Sequence, residues 1–268
     1  MTMTLLRAQT ISIVGSDAIA FAHAQFASHV DTLDPGHWQF SAWLDANGRV
    51  RALFHLLRLG DDQLLCLLRG GDATTLSDAL RGYVFRAKVS ITAHPATSIA
   101  TAAASAVHAV TKAGDALVLG CGDYGMQIGN VAAGDDDWRR LQWRDGWPWL
   151  PPAALDTWLP QALSLQRLQA VVTDKGCYPG QEIVARLHFR GGHKRHLHSA
   201  MVSRLLASGT RLRVQGADIG GLLDVHTVDG QTRALLVLAD SAEALATNGR
   251  LDVHDENLTI TLCTRWPG

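Results

Sequence analysis

Apolar residues recur in this chain at two spacings, and the change from one to the other falls near residue 197. Ahead of that point, strands and helices are mixed. "TISIV" alternates as a strand does. "GSDAIAFAHAQFASHV" after it reads as a helix capped by Ser16 or Asp17, with Ile19, Phe26 and Val30 contributing to one apolar stripe. "HWQFSAWLD" and "RVRALFHLL" flank Asn47-Gly48 as the arms of a hairpin, and "QLLCLL" adds a short strand. "ATTLSDALRGYVF" predicts the next helix, "KVSIT" a strand, the Ala-rich "SIATAAASAVHAV" a helix, and "AGDALVLG" a strand. Residues 153–169 are helical in pattern but interrupted at Pro160, which marks a kink or a boundary.

Beyond residue 197 the chain becomes a series of short alternating strands: "HLHSAMV", "TRLRV", "IGGLLDVHTV", "QTRALLVLA" and "LTITLCTRW". Asp229-Gly230 has the composition of a hairpin turn, and such close spacing predicts a small barrel or sandwich. The expected architecture is therefore α+β, with a mixed body over 1–192 followed by an all-β domain over 193–268.

The chain has 268 residues, enough for one large domain or two to three modest ones with real cores. Its net charge of −1 gives no global field for nucleic acid or membrane, so any anion site has to be local. Cys66, Cys121, Cys177 and Cys263 include no C-x-x-C pair, which argues against a disulfide scaffold or zinc module and suits a reducing compartment. No leader pattern and no long apolar run stand out, so a soluble, cytoplasmic protein is expected.

Candidate chemistry concentrates in "DKGCYPGQEIVAR", residues 174–186. Tyr178-Pro179-Gly180-Gln181 has the composition of a type II turn. Alternatively Pro179 opens a helix with Gln181 and Glu182 in its first turn and Ile183, Val184 and Leu187 on one face; alternation from Ile183 to Phe189 also allows a strand, and the helix is favoured. Just before such a helix and close to Lys175, Cys177 sits where a thiolate is favoured, although a free cysteine is as often a small packing residue. From Gly180 to His198, Arg186, Arg190, Lys194 and Arg195 face one acid, Glu182, which is the pattern of a local anion site or of a solvated loop. His188, His193, His196 and His198 lack carboxylate or thiolate companions at a familiar metal spacing. Five of the eight tryptophans lie between Trp138 and Trp158, most of them expected in the core and one or two lining a pocket. Phosphate-loop, nucleophile-elbow and zinc-protease motifs are missing, which sets kinase, dehydrogenase, hydrolase and metalloprotease chemistry aside.

The octet Lys175-Gly176-Cys177-Tyr178-Pro179-Gly180-Gln181-Glu182 resembles the signature of the YgfZ-type folate-binding proteins, relatives of the aminomethyltransferase (T protein) of the glycine cleavage system. Residues 158–195 resemble the family throughout. "GSDAIAFAHAQ", "LDANGRVRALFHLLRL" and "LRGYVFRAKVSI" follow in the family's order. The resemblance implies an aminomethyltransferase-like fold: two α+β lobes and a C-terminal β-barrel around a central folate-binding hole. It also implies a tetrahydrofolate-linked role in assembling or repairing iron–sulfur clusters in client enzymes, with Cys177 and Lys175 as the key residues. Its pocket would draw on Tyr178, Gly180, Gln181, Glu182, Asp145 and Trp147, while Arg186, Arg190, Lys194 and Arg195 would meet a glutamate or polyglutamate tail. Lys175 would either orient the folate or hold Cys177 as thiolate.

The departures from the family pattern matter for ligand identity. His23-Ala24-Gln25 stands where Gln-Gly-Gln is usual, and His29 where an aspartate is usual. Arg144 stands two residues before Gly146, where a glutamate is common, with Asp145 one place off; Ser164 and Pro179 also differ. These changes disfavour the alternative reading, a folate-dependent aminomethyl transferase, which needs a positioned carboxylate. A nucleic-acid module built on the 186–195 cations is the weakest reading, since no long basic stripe supports it.

Overall fold

The computed structural model describes residues 7–129 and 137–268. Its elements are β1 (Thr10–Val14), α1 (Ala18–Gln25), β2 (His37–Leu44), β3 (Val50–Arg58), β4 (Gln63–Leu68), α2 (Ala73–Arg81), β5 (Ser90–Ala93), β6 (Ser98–Ala102), β7 (Val110–Ala113), β8 (Ala116–Gly120), β9 (Gly125–Gly129) and α3 (Asp137–Asp145), followed by α4 (Gln181–Arg190), β10 (Arg195–Val202), β11 (Arg211–Val214), β12 (Ala217–Val228), β13 (Gln231–Ala239), α5 (Asp240–Glu243), β14 (Arg250–Val253) and β15 (Leu258–Arg265). They form sheets in the orders β2-β3-β4-β1-β5, β6-β9-β8-β7 and β11-β12-β13-β10-β15-β14. No helix among the described residues is long and apolar enough to cross a membrane.

The chain divides into two compact units, each built from separated segments. The first takes the described residues of 1–43, 52–138 and 174–179; the second takes 44–51, 139–173 and 180–268. In the first unit, Ile11, Ile13, Phe54, Leu56 and Leu64 from the five-stranded sheet pack with Phe21 and Ala22 of α1 and Leu76 and Leu80 of α2. Phe26 closes edge-on against Phe54 at 4.8 Å, an arrangement that adds aromatic attraction to the area buried. In the second unit, Ala200, Val202, Leu212, Leu236, Leu238 and Ile260 fill a nearly closed six-stranded barrel.

Local chemistry explains most element boundaries. The Asp72 carboxylate accepts the Thr75 N–H and caps α2. Asp17 is the N-cap of α1 but makes no side-chain capping bond; its carboxylate instead accepts the Lys88 N–H at 2.7 Å, fastening the ends of two segments of the same unit. α1 stops at Gln25, where Phe26 turns extended, so Phe26 and Val30 are buried from the connection rather than from a helical stripe. Asp229 and Gly230 both take positive φ between paired Val228 and Gln231, the backbone of a two-residue type I′ hairpin.

Two helix expectations are overturned. Ser98–Ala102 is β6, paired antiparallel with β9, because a ladder partner outweighs alanine's helical preference in so short a run. Residues 153–169 form no α-helix. Pro152 and Pro160 open single 3-10 turns, and Asp156, Ser164 and Gln169 take left-handed φ, which breaks any longer helix.

Candidate functional site

The segment 174–179 completes the first unit, and Lys175 explains how. Its Nζ donates to three backbone carbonyls: His23 at 2.5 Å, Phe26 at 2.7 Å and Ser28 at 2.9 Å. These carbonyls belong to the end of α1 and the turn after it, so a single ammonium satisfies acceptors that the broken helix has left over. The same Nζ lies 5.4 Å from the centre of the Tyr178 ring, a cation–π contact. Burial draws the Lys175 proton affinity down to about 8, with the Asp31 carboxylate pulling the other way. Burial also pushes the Tyr178 hydroxyl well above its usual range.

Around this anchor runs a chain of imidazoles and carboxylates that the sequence reading missed as a group. His29, at the usually acidic position, brings Nε2 to 3.0 Å from Asp174 Oδ1, the residue just before Lys175. Its Nδ1 lies 4.0 Å from Asp31 Oδ1, and His23 Nδ1 lies 3.0 Å from the same oxygen. The His29 hydrogen bond, with one from its own backbone, holds Asp174 below the usual carboxylate range. Desolvation and the nearby Lys175 charge lower His23. The long sequence separation between residues 23–31 and 174 hides this grouping; the only sequence signal was the pair of histidines where the family carries other residues. Among the described residues no group of three or more His, Cys, Asp or Glu side chains is placed to hold a metal ion.

Cys177 is an exposed free thiol on the turn that Lys175 and Tyr178 flank. Gly176 faces open space, so no close approach explains it. Gly180 does have such an approach. Its φ of 79° and ψ of 0° fit the third position of a type II turn, and a side chain there would meet Asp45 O at 2.4 Å and Gly48 Cα at 2.7 Å. Gly48, itself at φ 75°, closes the β2–β3 hairpin, and Asp45 anchors that turn by accepting the Arg49 N–H at 2.7 Å. The turn and the helix readings both hold, in succession: the turn ends at Gly180, which caps α4, and the helix opens at Gln181, two residues beyond Pro179. Val184 is buried on the inner face of α4, with Ile183 and Leu187 half-buried.

The remaining predicted residues lie in the second unit. Gln181 is half-buried, while Glu182, Arg186, Arg190 and Lys194 are exposed; none of these three cations has a partner among the described residues. Arg195 is different: it pairs with Asp218 at 3.2 Å and lies over the buried Trp158 ring at 5.5 Å, where Arg211 also stacks at 4.8 Å. Trp147 is half-buried. Asp145 is gripped by Arg144 through Nε at 2.8 Å and NH2 at 3.2 Å. It also sets a negative charge near Arg167, whose guanidinium donates to Gly146 O at 2.7 Å. Gly146 takes φ 64°, and a Cβ on it would run into the Trp266 indole. The bare backbone of Gly146 and the Arg167 guanidinium, 4.4 Å from the ring centre, thus both lie against the one flat Trp266 ring.

Three comparisons place this geometry among known proteins. No protein-family model matches the chain. An uncharacterized protein of Haemophilus influenzae is 28% identical over 214 residues, covering 72% of this chain and 70% of that one. The tRNA-modifying protein YgfZ of Yersinia pseudotuberculosis is 26% identical over 240 residues, covering 76% of this chain and 72% of its own length, and that of Yersinia pestis is equally similar. Among solved structures, the aminomethyltransferase T of the Bartonella henselae glycine cleavage system superposes with a TM-score of 0.68, covering 96% of this chain and 83% of that one. At 13% identity this last likeness speaks for the fold alone, which is aminomethyltransferase-like.

Proposed function

We propose that this chain is a YgfZ-type protein, a reading supported by its likeness to the Yersinia relatives and by its aminomethyltransferase-like fold, and that it binds tetrahydrofolate and serves the assembly or repair of iron–sulfur clusters in client enzymes. The name of the Yersinia relatives directs the clients toward enzymes of tRNA modification. Cys177 is the acting residue, in a redox, sulfur or transient-ligand step. The observation that carries this reading is the contrast between an exposed free thiol and the fixed frame beside it, in which Lys175 is spent on three carbonyls and Tyr178 is buried. A reactive group held on an otherwise satisfied turn is available to a partner without unfolding anything.

Folate, when bound, supplies a carrier of one-carbon units. The chain's own part is to seat the pterin near Asp145, Gly146 and Arg167 and to meet the glutamate tail with Arg186, Arg190 and Lys194. A transferase would require a carboxylate free to handle the amine, and the nearest candidates in the first unit, Asp31 and Asp174, are engaged by His23 and His29. The accessory reading is therefore the better supported of the two. Cys177→Ala is expected to fold as the parent does, by its thermal melt, yet to fail in restoring iron–sulfur enzyme activity to cells that lack the protein. Full restoration by that variant would remove the thiol from the mechanism.

A further inference from the structure

Trp266 follows directly on β15. Its backbone N–H donates to Leu197 O at 2.9 Å, which fixes the start of the side chain, while the indole lies against Gly146. A Cβ added to Gly146 would fall 2.3 Å from Cε2 and 2.6 Å from Nε1 of that ring, so only glycine admits it. The Arg167 guanidinium covers the indole with Cζ 4.4 Å from the ring centre, and the Asp145 charge acts on that cation. The seat is thus shaped for a planar aromatic ring.

The indole nevertheless fits it imperfectly. Trp266 Nε1 and Arg167 Nε are both buried and have no hydrogen-bond partner among the described residues. An indole is a donor only, so it offers no acceptor to the neighbouring Arg167 N–H. A ring of similar size that carries acceptor atoms at its edge would take the Arg167 N–H and release the indole N–H to water. Buried donors left without acceptors are costly, and so the exchange is favourable as well as sterically possible.

From this geometry we infer that Trp266 is a built-in occupant of a ring seat formed by Gly146 and Arg167, and that a planar heteroaromatic ligand with acceptor atoms at its edge displaces it. Resting on the folate reading, the ligand is the reduced pterin, whose pyrimidine half is the planar part with acceptor atoms at its edge. The displacement requires a side-chain rotation about a fixed backbone, so the barrel strands need not move. Trp266 then sets the affinity of the site by competing for it, and selects against flat ligands that offer no acceptor.

Calorimetric titration with 5-formyltetrahydrofolate tests the exchange in the wild type and in Trp266→Ala. Removing the competitor should tighten binding by about tenfold, the effect of relieving one unsatisfied buried group. If the wild type binds and Trp266→Ala binds equally or more weakly, the exchange is wrong while the folate reading stands. If neither binds although both melt cooperatively, both readings fall. A second measurement does not depend on how the variant folds: in wild-type protein labelled with 5-fluorotryptophan, the Trp266 resonance, assigned with Trp266→Phe, should shift toward a solvent-exposed position as ligand is added. A resonance that stays in place while ligand binds would overturn the exchange.

Discussion

Lys175 and the cations at 186, 190 and 194 carry the same kind of charge in opposite surroundings. In the sequence they belong to one basic stretch. In the structure Lys175 is half-buried with three carbonyl acceptors, whereas Arg186, Arg190 and Lys194 are exposed and have no side-chain partner among the described residues. The difference teaches that like charges near one another in sequence can do different work. One cation closes the backbone of its unit, and the others stay exposed. A cation whose hydrogens are all committed to backbone cannot also grip a ligand, while one that is solvated contributes little to the fold.

Substituting Lys175 gives the largest expected effect. Lys175→Met leaves three carbonyls without their donor and should lower stability by about 2–4 kcal/mol, measured by urea unfolding. Lys175→Arg should recover little of this, because a planar guanidinium does not converge on three acceptors as an ammonium does. A loss no greater than that of a surface lysine would erase the contrast.

A titration gives a smaller and more local effect. With its folded-state value drawn down to about 8 from the ordinary 10.5, Lys175 binds its proton less firmly in the folded chain than in the unfolded one. Between those two values the unfolded state holds more protons, so the stability this group contributes rises with pH across that window. Carbon-13 shifts at the Lys175 ε position should follow a midpoint near pH 8; a midpoint above 10 would mean a solvated ammonium.

The smallest effects on stability belong to the exposed cations. Arg186→Ala, Arg190→Ala and Lys194→Ala should each fall within about 0.5 kcal/mol of the parent. Combined, they should weaken a polyglutamylated folate more than the monoglutamate in calorimetry. Equal loss for both would place the tail elsewhere.

Much of the fold was legible wherever a position allowed only one answer. Asp229-Gly230 and Asn47-Gly48 announce hairpins because few other residues tolerate positive φ. The tight turn at Gly180 and the helix after it were legible for the same reason. Alanine and serine at 98–105 exclude neither helix nor strand, and β9 decided for the strand. Within the candidate site, the signature picks out Lys175 but does not reveal its bonds, since its acceptors are carbonyls that every residue possesses. The His23, His29, Asp31 and Asp174 grouping and the Trp266 seat were illegible for a related reason: their members are far apart in the chain and match no spacing rule.

The three carbonyls that Lys175 serves lie 147 to 152 residues earlier in the chain. On the ribosome, where chains emerge from the amino end and early segments begin folding first, the first unit waits unfinished until its last short segment has been made. Lys175 then closes it like a clasp on a string already threaded. Any nascent chain released before that residue keeps the end of its first helix without its donor. A quality-control protease would meet such a chain as a recognisably open form.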